Sequence, residues 1–215
     1  MAGLEVKTPA QVKPLPEYAH DFLASVPGLS YRLEPIVDGE NEYHLVIFVK
    51  MSDVAHIDES IDDYPDIWVG LNNGVTLHIE GSAHASLAVQ VSGVWREFDG
   101  ENYELGLVSM SVRNGELGIT LYARELRREF RARVMSSDLA GTEYHVHVSN
   151  DYDRFNVVAR LIGHTWVIEV NGVNYARGKT LEEALESAIN KWNFEHGGIP
   201  NPFLAVRNAL MREGA

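Results

Sequence analysis

At 215 residues, 45% hydrophobic and 23% charged, the chain has the composition of a folded globular protein, long enough for one large domain or two small ones. It has no cysteine, which excludes disulfides, thiolate catalysis and cysteine-ligated zinc, and no apolar run of about eighteen residues, so no transmembrane helix is expected. Its 31 acidic against 18 basic side chains give a formal charge of −13, which weighs against direct nucleic-acid or anionic-membrane binding and favours a partner with a basic surface.

The N-terminus, MAGLEVKTPAQVKPLPEYAH, lacks the apolar core of a signal peptide, so a cytoplasmic location is expected. Residues 1–16, with Pro9, Pro14 and Pro16, read as an extended arm. Pro16 suits the first turn of a short helix carrying Tyr18, Phe22, Leu23 and Val26 on one side, which Pro27-Gly28 ends.

From Ser30 the pattern turns to strands. Tyr31–Val37 and Glu42–Lys50 flank the hairpin signal Asp38-Gly39. Met51–Asp66 reads as a loop bearing Asp53, Asp58, Glu59, Asp62, Asp63 and Asp66 without a single Lys or Arg. Ile67–Leu71, Val75–Glu80, Ala83–Val91, Val94–Phe98, Tyr103–Arg113 and Glu116–Tyr122 follow, separated by turn residues at the spacing of a sandwich or a strongly curved sheet. Asp38-Gly39-Glu40-Asn41 recurs as Asp99-Gly100-Glu101-Asn102, which a duplicated unit would explain, as would the small vocabulary of turns.

In Ala123–Val134, Leu126, Phe130 and Val134 fall at helical spacing among five arginines, so the segment is expected to be a helix, with an edge strand as the alternative. Ser136–Thr142 reads as a linker. In Glu143–Ser149, Tyr144, Val146 and Val148 alternate with His145, His147 and Ser149, as a half-buried strand requires. Phe155–Ile162 and Thr165–Val170 continue the sheet, and Asn171-Gly172 turns the chain into Val173–Ala176. Thr180 with Glu183 forms a capping box ahead of an amphipathic helix on Leu181, Ala184, Leu185, Ala188, Ile189 and Trp192. Asn201 then caps a last helix that has Pro202 at its first position.

The fold class that results is α+β. A β-rich antiparallel sheet or sandwich precedes a small C-terminal unit of sheet plus helix. The expected divisions are 1–27 (arm and short helix), 28–136 (a β-rich domain ending in the arginine helix) and 137–215.

Motifs for chemistry are few. Gly178-Lys179-Thr180 lacks the upstream glycine of a phosphate-binding loop, so the capping reading stands. His145 and His147 share one strand face, a spacing that suits a metal, with Asp151 and Asp153 downstream; a metal-dependent enzyme built on them is one alternative. No nucleophile elbow or zinc-protease helix occurs, so no catalytic residue, cofactor or metal is assigned. The expected order of helix, strands and helix over 123–192 is similar to that of double-stranded-RNA-binding domains. Where that family meets phosphate, at the start of its second helix, this chain has Lys179 alone.

Two charged stretches remain as candidate binding sites. In the acidic one, Asp53, Asp58, Glu59, Asp62, Asp63 and Asp66 accompany Ile57, Ile61 and Tyr64, which suits docking on a basic groove. In the basic one, Arg124, Arg127, Arg128 and Arg131 are candidates for anion binding. The expected function is therefore a non-enzymatic acidic protein that binds a protein partner, of the inhibitor or immunity type seen on phages and mobile elements. A homo-oligomeric assembly subunit is the other alternative.

Overall fold

The computed structural model describes residues 12–60, 64–197 and 199–213. It is an α+β chain dominated by antiparallel strands, and it divides into two compact units at Leu126/Arg127. Most of the arm expected at 1–16, as well as Ile61, Asp62, Asp63 and Gly198, lies outside the described residues.

The N-terminal unit begins with α1 (Leu15–Leu23), whose Leu15, Ala19, Phe22 and Leu23 are buried. Pro16 occupies its first turn, where a missing N–H costs nothing. Two sheets follow. One has the order β1-β2-β9-β8, from β1 (Ser30–Pro35), β2 (Glu42–Lys50), β8 (Tyr103–Arg113) and β9 (Glu116–Glu125). The other runs in sequence order through β3 (Val54–Ser60), β4 (Asp66–Leu71), β5 (Thr76–Glu80), β6 (Ser86–Val91) and β7 (Val94–Glu97). Both bury alternate residues in one core: Leu45, Ile47, Ile119 and Leu121 from the first, Ile67, Val69, Leu77, Ile79, Leu87 and Val89 from the second. The α1 helix closes that core with an aromatic cluster, in which Tyr18 stacks on Tyr103 at 4.6 Å and meets Phe98 edge-on at 4.9 Å.

The C-terminal unit is a meander of β10 (Arg131–Ser137), β11 (Glu143–Ser149), β12 (Arg154–Ile162), β13 (Thr165–Val170) and β14 (Val173–Gly178), followed by α2 (Leu181–Glu195) and α3 (Pro202–Arg212). Its core gathers Val146, Val148, Val157, Ala159 and Ile168 from the sheet against Ala184, Leu185, Ala188, Phe203 and Val206 from the helices. The Thr180 hydroxyl accepts from the Glu183 N–H at 3.1 Å, and the Glu183 carboxylate accepts from the Lys179 N–H at 2.8 Å, so the capping pair forms as its residues imply.

Two expectations are corrected. Ala123–Val134 is not a helix: its start completes β9, and Arg131–Ser137 is the edge strand of the C-terminal sheet. Ala132 and Val134 are half-buried while Arg131 and Arg133 are exposed, a period of two that the coincidence of Leu126, Phe130 and Val134 at a period near four conceals. The order of elements over 123–192 thereby loses its first helix. Likewise Met51–Asp66 is not all loop. A 3-10 turn at Met51–Asp53 leads into β3, and a bulge between Val54 and His56 lets both Val54 and Ile57 pack inward. That bulge breaks the alternation by which the strand would be recognised. The two copies of Asp-Gly-Glu-Asn also differ: 38–41 closes the β1–β2 hairpin, with Asp38 at φ 65° and Asn41 at φ 60°, whereas 99–102 carries the chain from one sheet to the other.

Candidate functional site: the open face of the acidic sheet

The β3–β7 sheet buries one face and leaves the other open. Register defines the open face. Asp58, Trp68, His78, Ala88 and Glu97 stand opposite one another across the five strands. The row on one side is His56, Gly70, Thr76, Gln90 and Trp95; on the other it is Ser60, Asp66, Glu80 and Ser86. The alternate row, Ile57, Val69, Leu77 and Val89, faces the core.

The centre of the open face is aromatic. Trp68 stacks on the His78 imidazole with centroids 3.8 Å apart and planes 18° from parallel, and Trp95 meets Trp68 edge-on at 5.8 Å and 88°. Each such pair contributes about 0.5–1.5 kcal/mol beyond its buried area, which holds the rings in place before any ligand arrives. His78 Nε2 lies 2.7 Å from Asp66 Oδ1, fixing the imidazole within its plane. His56 lies over Gly70, where a β-carbon would come within 2.0 Å of its Cε1; glycine at this penultimate position of β4 makes room for the ring. Around the rings stand Asp58, Asp66, Glu80 and Glu97.

Electrostatically the face belongs to a strongly polarised chain. Residues 10–126 hold 19 acidic and 6 basic side chains, so the whole charge of −13 resides there, whereas residues 127–215 have 11 of each. Carboxylates only accept hydrogen bonds, and the faces of indole rings are electron-rich. Together they present a surface complementary to lysine and arginine side chains.

Of the acidic candidates, Asp58 lies on this face and Asp66 borders it, bonded to His78. Glu59 is on the same exposed strand, on the alternate register. Asp53 ends the 3-10 turn, and its carbonyl accepts from the Asn72 N–H at 2.8 Å. Ile57 packs into the chain's own core, whereas Tyr64 is 60% exposed. Trp68, His78, Trp95 and His56 are absent from the sequence-based candidates, although alternation marks two of them. Trp68 sits between buried Ile67 and Val69, and His78 between buried Leu77 and Ile79.

The arginine candidates divide between the two units. Arg124 belongs to β9, where its guanidinium donates to Glu104 Oε2 from Nε at 3.0 Å and from Nη2 at 2.7 Å. Arg127, Arg128 and Arg131 belong to the other unit; the Arg127 N–H donates to Asp151 Oδ2, and Arg128 lies 5.7 Å over the Tyr152 ring. His145 and His147 do share one face of β11, yet each has its own neighbour: Glu143 Oε1 at 2.7 Å and Asn156 Oδ1 at 3.3 Å, respectively. Among the described residues no three His, Asp or Glu side chains converge as a metal site. Comparison of the chain with protein-family models, with curated proteins and with solved structures finds no match.

Proposed function

We propose that the chain is a non-enzymatic binding protein whose open, acidic β3–β7 face docks a protein with a basic surface. The observation that carries this reading is the ring of Asp58, Asp66, Glu80 and Glu97 around the ordered Trp68–His78–Trp95 cluster. Tryptophans at the centre of an interface contribute most of its energy, and surrounding charges steer the encounter and fix its register. With −13 concentrated in one unit, association with a cationic partner is accelerated at low salt and slowed as salt screens it. An inhibitor or immunity-type role fits this chemistry, because occlusion of a basic, phosphate-binding groove needs carboxylates and apolar anchors and no catalytic group.

The test compares three baits in a bacterial lysate, with mass spectrometry of what each captures. These are the wild-type chain, Trp68→Ala with Trp95→Ala, and Asp58→Lys with Glu80→Lys and Glu97→Lys. A basic protein captured in stoichiometric amount by the wild type, lost with both variants and released by salt is the expected result. A partner retained by both variants, or one that is acidic, refutes the assignment of this face.

A further inference from the structure

The C-terminal sheet also has an open face, and its chemistry is the opposite. The helices α2 and α3 cover the side that carries Tyr144, Val146 and Val148. Register places Arg131 and Arg133 of β10, His145, His147 and Ser149 of β11, Arg154, Asn156 and Arg160 of β12, and Arg177 of β14 on the other side. Two carboxylates share it. Arg160 lies 3.8 Å from Glu143 and 3.5 Å from Glu169, so that one arginine is held within the sheet. Arg133, Arg154 and Arg177 are exposed.

The arginines are dispersed. Arg154 and Arg160 are six residues apart on one strand, about 20 Å, and Arg133 and Arg177 lie on opposite edge strands, roughly 19 Å apart at the usual strand spacing. A single small anion reaches only one of them, whereas a chain of regularly spaced anions reaches several. Between them lie the imidazoles of His145 and His147 and the amide of Asn156. Imidazole and guanidinium planes accept unstacked bases, and the amide both donates and accepts hydrogen bonds. An acidic polypeptide would meet the same guanidinium groups but would make no use of these flat rings. The charge of −13 that opposes nucleic acid for the chain as a whole is carried by residues 10–126; the unit bearing this face is neutral, and screening confines the repulsion to about 8 Å at physiological salt.

We propose that the open face of the C-terminal sheet binds single-stranded nucleic acid, with Arg133, Arg154 and Arg177 meeting phosphates and His147 providing a plane for a base. This surface belongs to the other unit from the acidic face, and the proposal does not rest on that face's function.

The experiment is fluorescence anisotropy of the full chain with a labelled twelve-nucleotide oligouridylate across a salt series, with a labelled polyglutamate as the competing class. The expected result is saturable binding of the oligonucleotide with a salt slope that becomes shallower by about two in Arg133→Gln/Arg154→Gln/Arg177→Gln, each lost phosphate contact removing about 0.7. Arg154→Gln alone, which changes one exposed side chain, gives a shift of about 0.7 should the triple variant melt early. Trp68→Ala with Trp95→Ala leaves binding unchanged, which separates this face from the acidic one. No binding at about 50 mM salt, an unchanged slope in the variants, or preference for polyglutamate each overturns the proposal.

Discussion

Gly178→Ala probes the tightest glycine position among the described residues of the C-terminal unit. Gly178 ends β14, and a β-carbon there would lie 2.3 Å from the Ala184 nitrogen and 2.7 Å from the Glu183 carbonyl carbon, both in the first turn of α2. These obstacles are backbone atoms, and the turn is fixed by the Thr180 cap and by buried Ala184 and Leu185. Relief therefore requires strand and helix to separate. Overpacking costs about 1–3 kcal/mol where side chains give way, so a backbone obstacle implies the upper part, about 2–3 kcal/mol. A unit of this size has only about 4–13 kcal/mol of stability, and its midpoint falls by about 4–8 °C per kcal/mol, so a drop of roughly 10–20 °C is expected. The assay is thermal unfolding by tryptophan fluorescence in a background of Trp68→Phe and Trp95→Phe, which leaves Trp166 and Trp192 of this unit as reporters. Gly197→Ala in the same unit, where the nearest atom to an added β-carbon is the Asn193 carbonyl oxygen at an ordinary 3.5 Å, is the control and shifts stability by less than about 0.5 kcal/mol. A Gly178→Ala chain that melts with the wild type refutes the reasoning that strand and helix touch at this point.

Two further outcomes follow from buried polar groups. Asn201, 8% exposed, accepts from the Phe203 N–H at 2.9 Å and donates to the Ile189 carbonyl at 3.0 Å and to Asn193 Oδ1 at 2.8 Å. Asn201→Ala removes a helix cap and strands its partners, so urea unfolding should show a loss of about 2–3 kcal/mol. Burial raises the phenol pKa values of Tyr103, Tyr122 and Tyr175 above the ordinary 10, that of Tyr122 to about 12 with help from Glu42, and that of Tyr175 further with Glu195 accepting its proton at 2.9 Å. Each raised value stabilises the fold fully below pH 10. That contribution fades as pH rises from there through the folded values, because the unfolded chain ionises first. Ultraviolet difference titration of the wild type against Tyr103→Phe, Tyr122→Phe and Tyr175→Phe should therefore show each removed phenol missing from the part of the curve well above pH 10, and a loss near pH 10 instead would contradict its burial.

Most of the fold was legible because its signals are local. Asn171-Gly172 sets a hairpin, Thr180 and Glu183 set a helix start, and Asn201-Pro202 another; each works through atoms within a few residues. The failures lie where local patterns were ambiguous or broken. The arginine segment satisfied helical spacing with three residues while alternating like a strand over four, and only the neighbouring strand β11 decides between them. The bulge at Val54/His56 hid β3 in the same way. The candidate site was legible in its charge but not in its rings. An acidic run is visible along the chain, whereas the cluster of Trp68, His78 and Trp95 is assembled from three strands by a register that no single stretch encodes. The unequal charges of the two units are countable in the sequence, but counting them needs the boundary at Leu126/Arg127, and that is a property of packing.

The strand β3 lies at the end of its sheet, and a strand in that position offers its unpaired amides and carbonyls to any other strand that approaches. Asp58 and Glu59 project from it to opposite sides, so a second copy arriving edge to edge would bring like charges together on both surfaces of the joined sheet. The same acidity thus discourages this unit from joining to itself, and a chain neutralised there by Asp58→Asn and Glu59→Gln would tend to grow into continuous sheet.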